Sequence, residues 1–357
     1  MAYIITPILI LLNSIYSLTK RNSKFISVLL IIFMWILFWG NYYNHDYEVY
    51  FNLYNTNGIY AETIEFGFIF LINLGNLLNM NYHTFLSTIY IGCLILIHTT
   101  VKKYTSNFNL VYLFYFFTPF LVDIIQIRNF IAMSLVIYSI NFLFEEKNTL
   151  FLVLILFAAT FHRQALVYLT LVLINLFKRN KNIINYMILL SISFSIIMLF
   201  NNKDIPFWEE ISGLFNLEKV NIYMDSQVNL GFIIYWGRQL ISNIVIYISL
   251  KLNSPLKTQD GNFKSVQTKF TYLIYWVNKI LLLFLPLYLI DSNFYRISRN
   301  TLILNYIVFA ITLKNIRKKS NKIIYLLIIV LYVAILSYMT IYMRNIQQPI
   351  FDYNMFL

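Results

Sequence analysis

The sequence predicts an all-α, polytopic integral membrane protein with about 12 transmembrane helices in a single transmembrane domain, residues 1–357. Three observations carry that reading. The chain is 59% hydrophobic and only 12% charged. Apolar runs recur along it, many near the ~20 residues a helix needs to cross a bilayer. Most Lys and Arg fall in the loops between those runs, where positive charge orients a membrane protein.

The first run, 3–18, has no basic residue before it and is followed by Lys20, Arg21 and Lys24, with no small-residue cleavage site. That order predicts a retained first helix rather than a signal peptide. Further spans are predicted at 25–40, 84–101, 109–122, 124–144, 149–161, 164–177, 183–200, 232–250, 270–290, 301–313 and 323–342. One more apolar segment, 66–80, is short and broken by Gly67, Asn73, Gly75 and Asn76. It is predicted to lie in the interface or to re-enter, because only then does every large basic cluster fall inside.

With that topology the inner loops hold eighteen of the 27 basic residues, including Lys102, Lys103, Lys147, Lys178, Arg179, Lys181 and the run from Lys314 to Lys322. The outer side is poor in lysine (Lys203 and Lys219) yet keeps Arg128, Arg163, Arg296, Arg299 and Arg344, with Arg238 a little way into a helix that starts outside. Arginines serving only topology would follow the lysines inward. Arg is suited to bidentate recognition of phosphate and carboxylate, so this asymmetry points to an anionic ligand held at the outer headgroups. Binding of ordinary anionic lipid is the alternative. Lys279 is placed mid-span, where a satisfied interhelical pair competes with a functional role.

The stretch 123–163 organises the outer chemistry. Its corners carry Asp123, Gln126, Arg128 and Asn129 at one end and His162 and Arg163 at the other. Ionisable groups at the ends of lipid-buried helices are costly and read as a site with a partner; a lone snorkelling arginine is the ordinary alternative. Outer loop 41–65 has no Lys or Arg, four carboxylates (Asp46, Glu48, Glu62, Glu65) and six tyrosines. It is suited to presenting aromatic faces and acceptors to sugar, although interfacial tyrosines also serve as anchors. Outer loop 201–231 carries an amphipathic segment, PFWEEISGLFNLEKV, expected to lie on the surface as a helix. In the last corner, DSNFYRISRN, Arg296 and Arg299 are three apart and share a face if the next helix begins early.

Several classes are excluded. The net charge of +12 is dispersed over membrane loops, so nucleic acid is not a partner. Cys93 is the only cysteine, so no intrachain disulfide exists. His45, His83, His98 and His162 are too scattered for a metal site, and no phosphate-cradling glycine loop is present.

The runs YNHDYEVYFNLYN, EFGFIFLINL, DIIQIRNFIAMSLVIYSI, AATFHRQALVYL and FYRISR, in that order over about residues 41–300, resemble the EpsG family of Wzy-type bacterial polysaccharide polymerases. The D-x-x-Q-x-R-N-x-I-A and A-x-x-F-H corners are the specific parts. The resemblance implies a multi-pass protein of the bacterial cytoplasmic membrane, with its active site facing outside. It also implies joining of oligosaccharide repeat units carried on undecaprenyl pyrophosphate, into capsule, exopolysaccharide or O-antigen. Donor and acceptor lipid-linked oligosaccharides are the implied partners within the membrane lipid, with room for a flippase and a chain-length regulator.

Such a transfer needs cations for the leaving pyrophosphate, a base for the acceptor hydroxyl and groups that orient two glycolipids. Arg128 and Arg296 are the first candidates for the pyrophosphate, supported by Arg238, Arg299 and Arg163. His162 is the candidate base, with Asp46 and Asp123 as rivals; Asp123 is alternatively the group that orients Arg128, five residues on, or another guanidinium. Tyr47, Glu48, Glu65 and Gln126 are the candidates for sugar contacts. No cofactor, nucleotide sugar or metal is required, because the pyrophosphate already activates the donor. A glycan ligase would use similar residues on another acceptor. A flippase or exporter would instead line a central path with polar residues at mid-depth, and a structural assembly subunit would need no such cluster.

Overall fold

A computed structural model gives the architecture and describes residues 1–19, 23–58, 64–201, 231–253, 263, 265–342 and 345–357. The described residues are mainly helical, with no β-strand among them. In chain order the helices are α1 Ala2–Leu18, α2 Lys24–Gly40, α3 Tyr47–Asn55, α4 Phe66–Leu77, α5 Tyr82–Tyr104 and α6 Phe108–Tyr115. α7 Leu121–Ile125, α8 Ile127–Phe144, α9 Asn148–Ala159, α10 Leu173–Leu176, α11 Asn182–Phe200 and α12 Gly231–Leu252 follow. The last are α13 Val266–Leu281, α14 Leu287–Ile290, α15 Arg296–Arg299, α16 Leu302–Asn315, α17 Lys319–Ser337 and α18 Gln347–Asp352.

Local chemistry sets where several of these start. Asn81 caps α5 by accepting the Thr84 amide at 2.8 Å, and Ser23 caps α2 through the Ile26 amide at 3.3 Å. Ser265 and Thr268 form a capping box at α13. Among the described residues six helices are long and apolar enough to cross a membrane: Tyr82–Tyr104, Phe108–Ile125, Ile127–Phe144, Asn182–Phe200, Gly231–Leu252 and Lys319–Ile341. Ala2–Leu18, Lys24–Gly40, Phe66–Leu77, Asn148–Ala159 and Arg163–Leu176 are apolar but shorter. The predicted span 164–177 opens as a 3₁₀ helix over Arg163–Val172, and the predicted span 270–290 breaks after Leu281.

Loop 41–65 differs from expectation by containing α3, which begins after the Asn44 side chain accepts the Asp46 amide at 3.0 Å. The predicted surface helix in 201–231, with Lys203 and Lys219, lies outside the described residues, as does Arg344. α4, expected to be short, has both ends fastened to one side of the molecule. The Gly67 amide donates to Thr160 at 2.9 Å, and Asn76 Nδ2 donates to the Tyr54 carbonyl of α3 at 3.0 Å. Twelve residues of helix span only about 18 Å, less than a bilayer core, so α4 runs along that side.

Helices in a bilayer gain little from apolar contact with one another, and polar side chains act as glue between them. Here asparagines do this in pairs. Asn109 Nδ2 donates to Asn13 at 2.9 Å, Asn278 and Asn305 exchange bonds at 2.8 and 3.2 Å, and Asn141 donates to Thr100 at 2.7 Å. Charge is segregated to the two ends of the bundle. At one end Lys103 and Lys147 pair with Glu145 at 2.7 Å, and Lys178 pairs with Glu146 at 2.5 Å. α8 carries the chain from Arg128 at the other end to that lysine-rich end, about 27 Å for its 18 residues.

Candidate active site

Gln126 alone joins α7 to α8, with non-helical angles (φ −100°, ψ 63°), so Arg128 falls in the first turn of α8. Its Nε donates to the Tyr50 hydroxyl at 3.2 Å and its Nη1 pairs with Glu65 Oε2. The guanidinium lies 5.8 Å from the centre of the Tyr50 ring. Glu65 is the hub: its Oε1 accepts the Arg163 backbone amide at 3.1 Å and stands 3.5 Å from His162 Nδ1. The approach of α4 to α9 makes this possible, since Gly67 lets the backbone at Glu65 reach the turn after Thr160. A β-carbon at position 67 would lie 2.7 Å from the Thr160 carbonyl oxygen.

Burial works to raise the Glu65 carboxyl, but contact with His162, the Arg128 charge and the Arg163 amide outweigh it and hold it at about 2. Burial pushes His162 below its ordinary 6.5; Glu65 opposes this, while Arg296 and Arg128 add to it. Both His162 ring nitrogens are buried without a hydrogen-bond partner among the described residues. A neutral imidazole beside a fixed carboxylate is a proton acceptor at neutral pH.

A second cluster adjoins the first. Arg299, 1% exposed, donates from Nη1 to the Tyr295 hydroxyl at 2.7 Å and from Nη2 to Gln126 Oε1 at 2.6 Å. The Arg238 and Arg299 guanidiniums lie 5.4 and 5.1 Å from the centre of the Tyr295 ring. Arg296 donates to Asn293 at 3.3 Å, and its Nε is buried with no partner, as is that of Arg299. Burial and the Arg299 charge both work against the Arg296 cation, while Tyr295, Tyr50 and Asp46 support it. Arg296 thus stands in reach of both clusters. Among the described residues none of Arg238, Arg296 and Arg299 forms a contact ion pair, although the buried Asp123 lies within electrostatic reach of Arg299 and Asp46 within reach of Arg296. Buried cations without a contact counter-charge are costly, and a bound anion would lower that cost.

Beside these residues opens a cavity of about 640 Å³, lined among others by Asn44, His45, Glu48, Gln126, Tyr295 and Pro349. Of the sequence candidates, Arg128, Glu65, His162 and the Arg163 amide meet in the first cluster, and Arg238, Arg296, Arg299 and Gln126 in the second. Glu48 and Gln126 line the cavity. Asp46 is half-buried within electrostatic reach of Tyr50 and Arg296.

Other candidates stand elsewhere. The Arg163 side chain is exposed, and its amide, not its guanidinium, reaches Glu65. The Tyr47 hydroxyl meets His83 Nε2 at 3.3 Å and its ring stacks on Phe51, away from the cavity. Asp123 does not orient Arg128, which pairs with Glu65. Asp123 is fully buried, accepts the Tyr115 hydroxyl at 3.0 Å, and has no partner on Oδ1. The break at Gln126 turns these two neighbours in sequence apart. Tyr50 and Tyr295 were not legible as site residues, because 29 tyrosines gave none of them individual weight. Among the described residues no cluster of metal ligands occurs.

A helical bundle with several helices long and apolar enough for a bilayer, and an arginine-rich site at one end, suggests a membrane protein. The chain belongs to the EpsG family, whose model matches residues 24–355, nearly its whole length. That membership suggests a polysaccharide-polymerase type of function and an enzyme of polysaccharide synthesis. Among curated proteins and among solved structures none matches the chain.

Proposed function

We propose that the protein is a polymerase joining oligosaccharide repeat units carried on polyprenyl pyrophosphate, with its arginine-rich end at the outer face of the cytoplasmic membrane. The observation that carries this reading is the gathering of two buried guanidiniums, Arg238 and Arg299, and the half-buried Arg296, none with a carboxylate in contact, beside the Glu65–His162 pair. The lysine-rich end is the inner one by the positive-inside tendency.

In this reading the acceptor hydroxyl oxygen attacks the anomeric carbon of the donor chain, and the bond from that carbon to the pyrophosphate oxygen breaks. His162 takes the hydroxyl proton on Nε2, with Nδ1 held toward Glu65. Arg296, Arg299 and Arg238 neutralise the charge that develops on the leaving polyprenyl pyrophosphate; preorganised cations are usually the largest catalytic term. Arg128 is already neutralised by Glu65, so it fixes Glu65 and His162 rather than serving as the main anion site. Glu48, Gln126 and Asn44 face the cavity as sugar contacts. A transport path would use mid-depth cations, yet the half-buried Lys279 donates to Asn185 at 2.7 Å, a satisfied interhelical pair. Metal and nucleotide play no part in this scheme, since the donor arrives activated.

The test uses a deletion host that makes the native repeat, complemented with wild type, Arg296→Ala and His162→Ala at equal membrane levels. Lipid-linked glycans are then resolved by size. The expected result is a ladder with wild type and single repeats exposed outside with either variant. Ladders from both variants, or repeats trapped inside, would overturn the assignment and favour export.

A further inference from the structure

A lateral groove of about 440 Å³ runs beneath α4, walled by α5, α8 and α9. On α5 its lining recurs at helical spacing from Phe85 through Gly92 to Leu96, a drop of about 16 Å, or half of a ~30 Å bilayer core. The groove is almost wholly apolar. The hydroxyls of Thr88 and Ser134, which face it, are bonded to the carbonyls of Thr84 and Ile131 at 3.0 and 2.7 Å. Apart from the weakly polar Cys93 thiol, it therefore presents little to a polar ligand. Gly92 leaves the wall open, since a β-carbon there would meet no atom within 4 Å.

Two of the helices that wall the groove also lead to residues of the candidate active site. On α8, Ile131 lines it one turn from Arg128, and Leu135 follows on the same face. At the end of α9, Phe161 lines it and is followed directly by His162. The face of α4 bearing Leu71, Leu74 and Leu78 covers it, and Gly67 at the start of that face meets Thr160. A ligand filling the groove thus has its apolar body in the outer half of the membrane and its polar end beside His162, where the Arg296 charge also reaches.

We propose that this groove seats the polyisoprenoid tail of the lipid whose pyrophosphate the arginine cluster holds, an inference that rests on the polymerase reading. The first isoprenes lie between Ile131 and Phe161, and the chain descends along α5 past Gly92. A groove of this size lies in the range of pockets for drug-sized ligands, about 300–1,000 Å³, so it takes the isoprenes nearest the pyrophosphate and leaves the rest of the chain in lipid.

The test is photo-crosslinking of a polyprenyl pyrophosphate bearing a benzophenone on its tail, to full-length protein in phosphatidylglycerol–phosphatidylethanolamine nanodiscs, with labelled peptides mapped by mass. Labels are expected on residues 85–96 and 131–135 and to be displaced by unlabelled polyprenyl pyrophosphate, but not by added phosphatidylglycerol. Labelling is expected to fall with side-chain size from Gly92→Ala through Gly92→Leu to Gly92→Phe, reaching about tenfold. Unchanged elution and melting would show that the variants fold.

Equal displacement by phosphatidylglycerol, labelling indifferent to Gly92→Phe, or labels on the second recess, lined by Thr6, Phe116 and Tyr338, would each overturn the proposal. Binding is read here without turnover. A labelled groove in a chain that makes no polymer would keep the groove and sink the polymerase, whereas wild-type polymer from Gly92→Phe would do the reverse.

Discussion

Asn129 and Asn300 exchange two amide hydrogen bonds, at 3.0 and 2.9 Å, across the junction between α8 and the turn before α16. Each is the chain neighbour of an arginine of the site, Arg128 and Arg299, so the pair fixes the two clusters relative to each other. Interhelical bonds of this kind contribute about 0.6 kcal/mol on average and up to about 1.7. Removing one partner costs more, because the other amide is then buried unsatisfied, about 1–3 kcal/mol. Asn129→Leu is expected to lower the unfolding free energy in detergent by about 2 kcal/mol and to shorten the glycan ladder. The double variant Asn129→Leu/Asn300→Leu should regain most of the stability but not the ladder. If it regains both, the pair serves stability alone.

Glu65 ties together three elements that are far apart in sequence. Glu65→Ala leaves Arg128 without its carboxylate and His162 without its neighbour. A fully buried broken pair costs about 3–5 kcal/mol, but the Arg128 side chain keeps 22% exposure, so water compensates in part and about 2 kcal/mol is expected. The double variant Glu65→Ala/Arg128→Ala should be less destabilised than the sum of the two single variants. Additive losses in chemical melts would mean that the pair carries no coupling.

Acid should act through the same two groups, in two windows. His162 sits below its ordinary 6.5 in the folded chain, so its neutral form contributes stability that is present above about 6.5 and lost as pH falls through the lowered value. Glu65, held at about 2 against an ordinary 4.5, contributes stability present above about 4.5 and lost on further acidification. Polymer synthesis in isolated membranes is therefore expected to keep its rate somewhat below pH 6.5 and then fall as His162 protonates. Glu65 raises the His162 value, so Glu65→Gln should move that fall to still lower pH. A fall that stays put, or moves upward, would remove His162 as the base.

Hydropathy alone located most of the helices, because apolar runs and flanking charges are local properties. The gathering of arginine toward one end and lysine toward the other was equally legible, since α5, α8 and α16 carry their charges at their tips and α12 carries Lys251 at one tip with Arg238 two turns in from the other. The partner of Arg128 was not legible. Asp123, five residues before it, was the natural candidate on a continuous helix, but the single non-helical residue Gln126 turns the two apart. The true partner, Glu65, is 63 residues away. Tyr295 was hidden for another reason: its ring gains meaning only when α12 brings Arg238 against it.

The tightest test of how the site is built is Gly67. Its amide donates to the Thr160 carbonyl at 2.9 Å, and an added β-carbon would lie 2.7 Å from that oxygen and 2.9 Å from the carbonyl carbon. These are backbone atoms just past α9, in a turn held by the Thr160, Phe161 and His162 amides, which donate to the Phe157 and Ala158 carbonyls, so neither side yields cheaply. Overpacking of this kind typically costs about 1–3 kcal/mol. The strain is relieved by moving the start of α4, and with it Glu65, two residues earlier. Gly67→Ala is therefore expected to cost polymer out of proportion to its loss of stability. Gly237→Ala is the contrasting change: nothing lies within 4 Å of its added carbon, and alanine favours a helix over glycine by about 1 kcal/mol. That variant should melt no lower than wild type. If Gly67→Ala forms ladders as long as wild type, the approach of α4 to Thr160 is not what holds Glu65 in place.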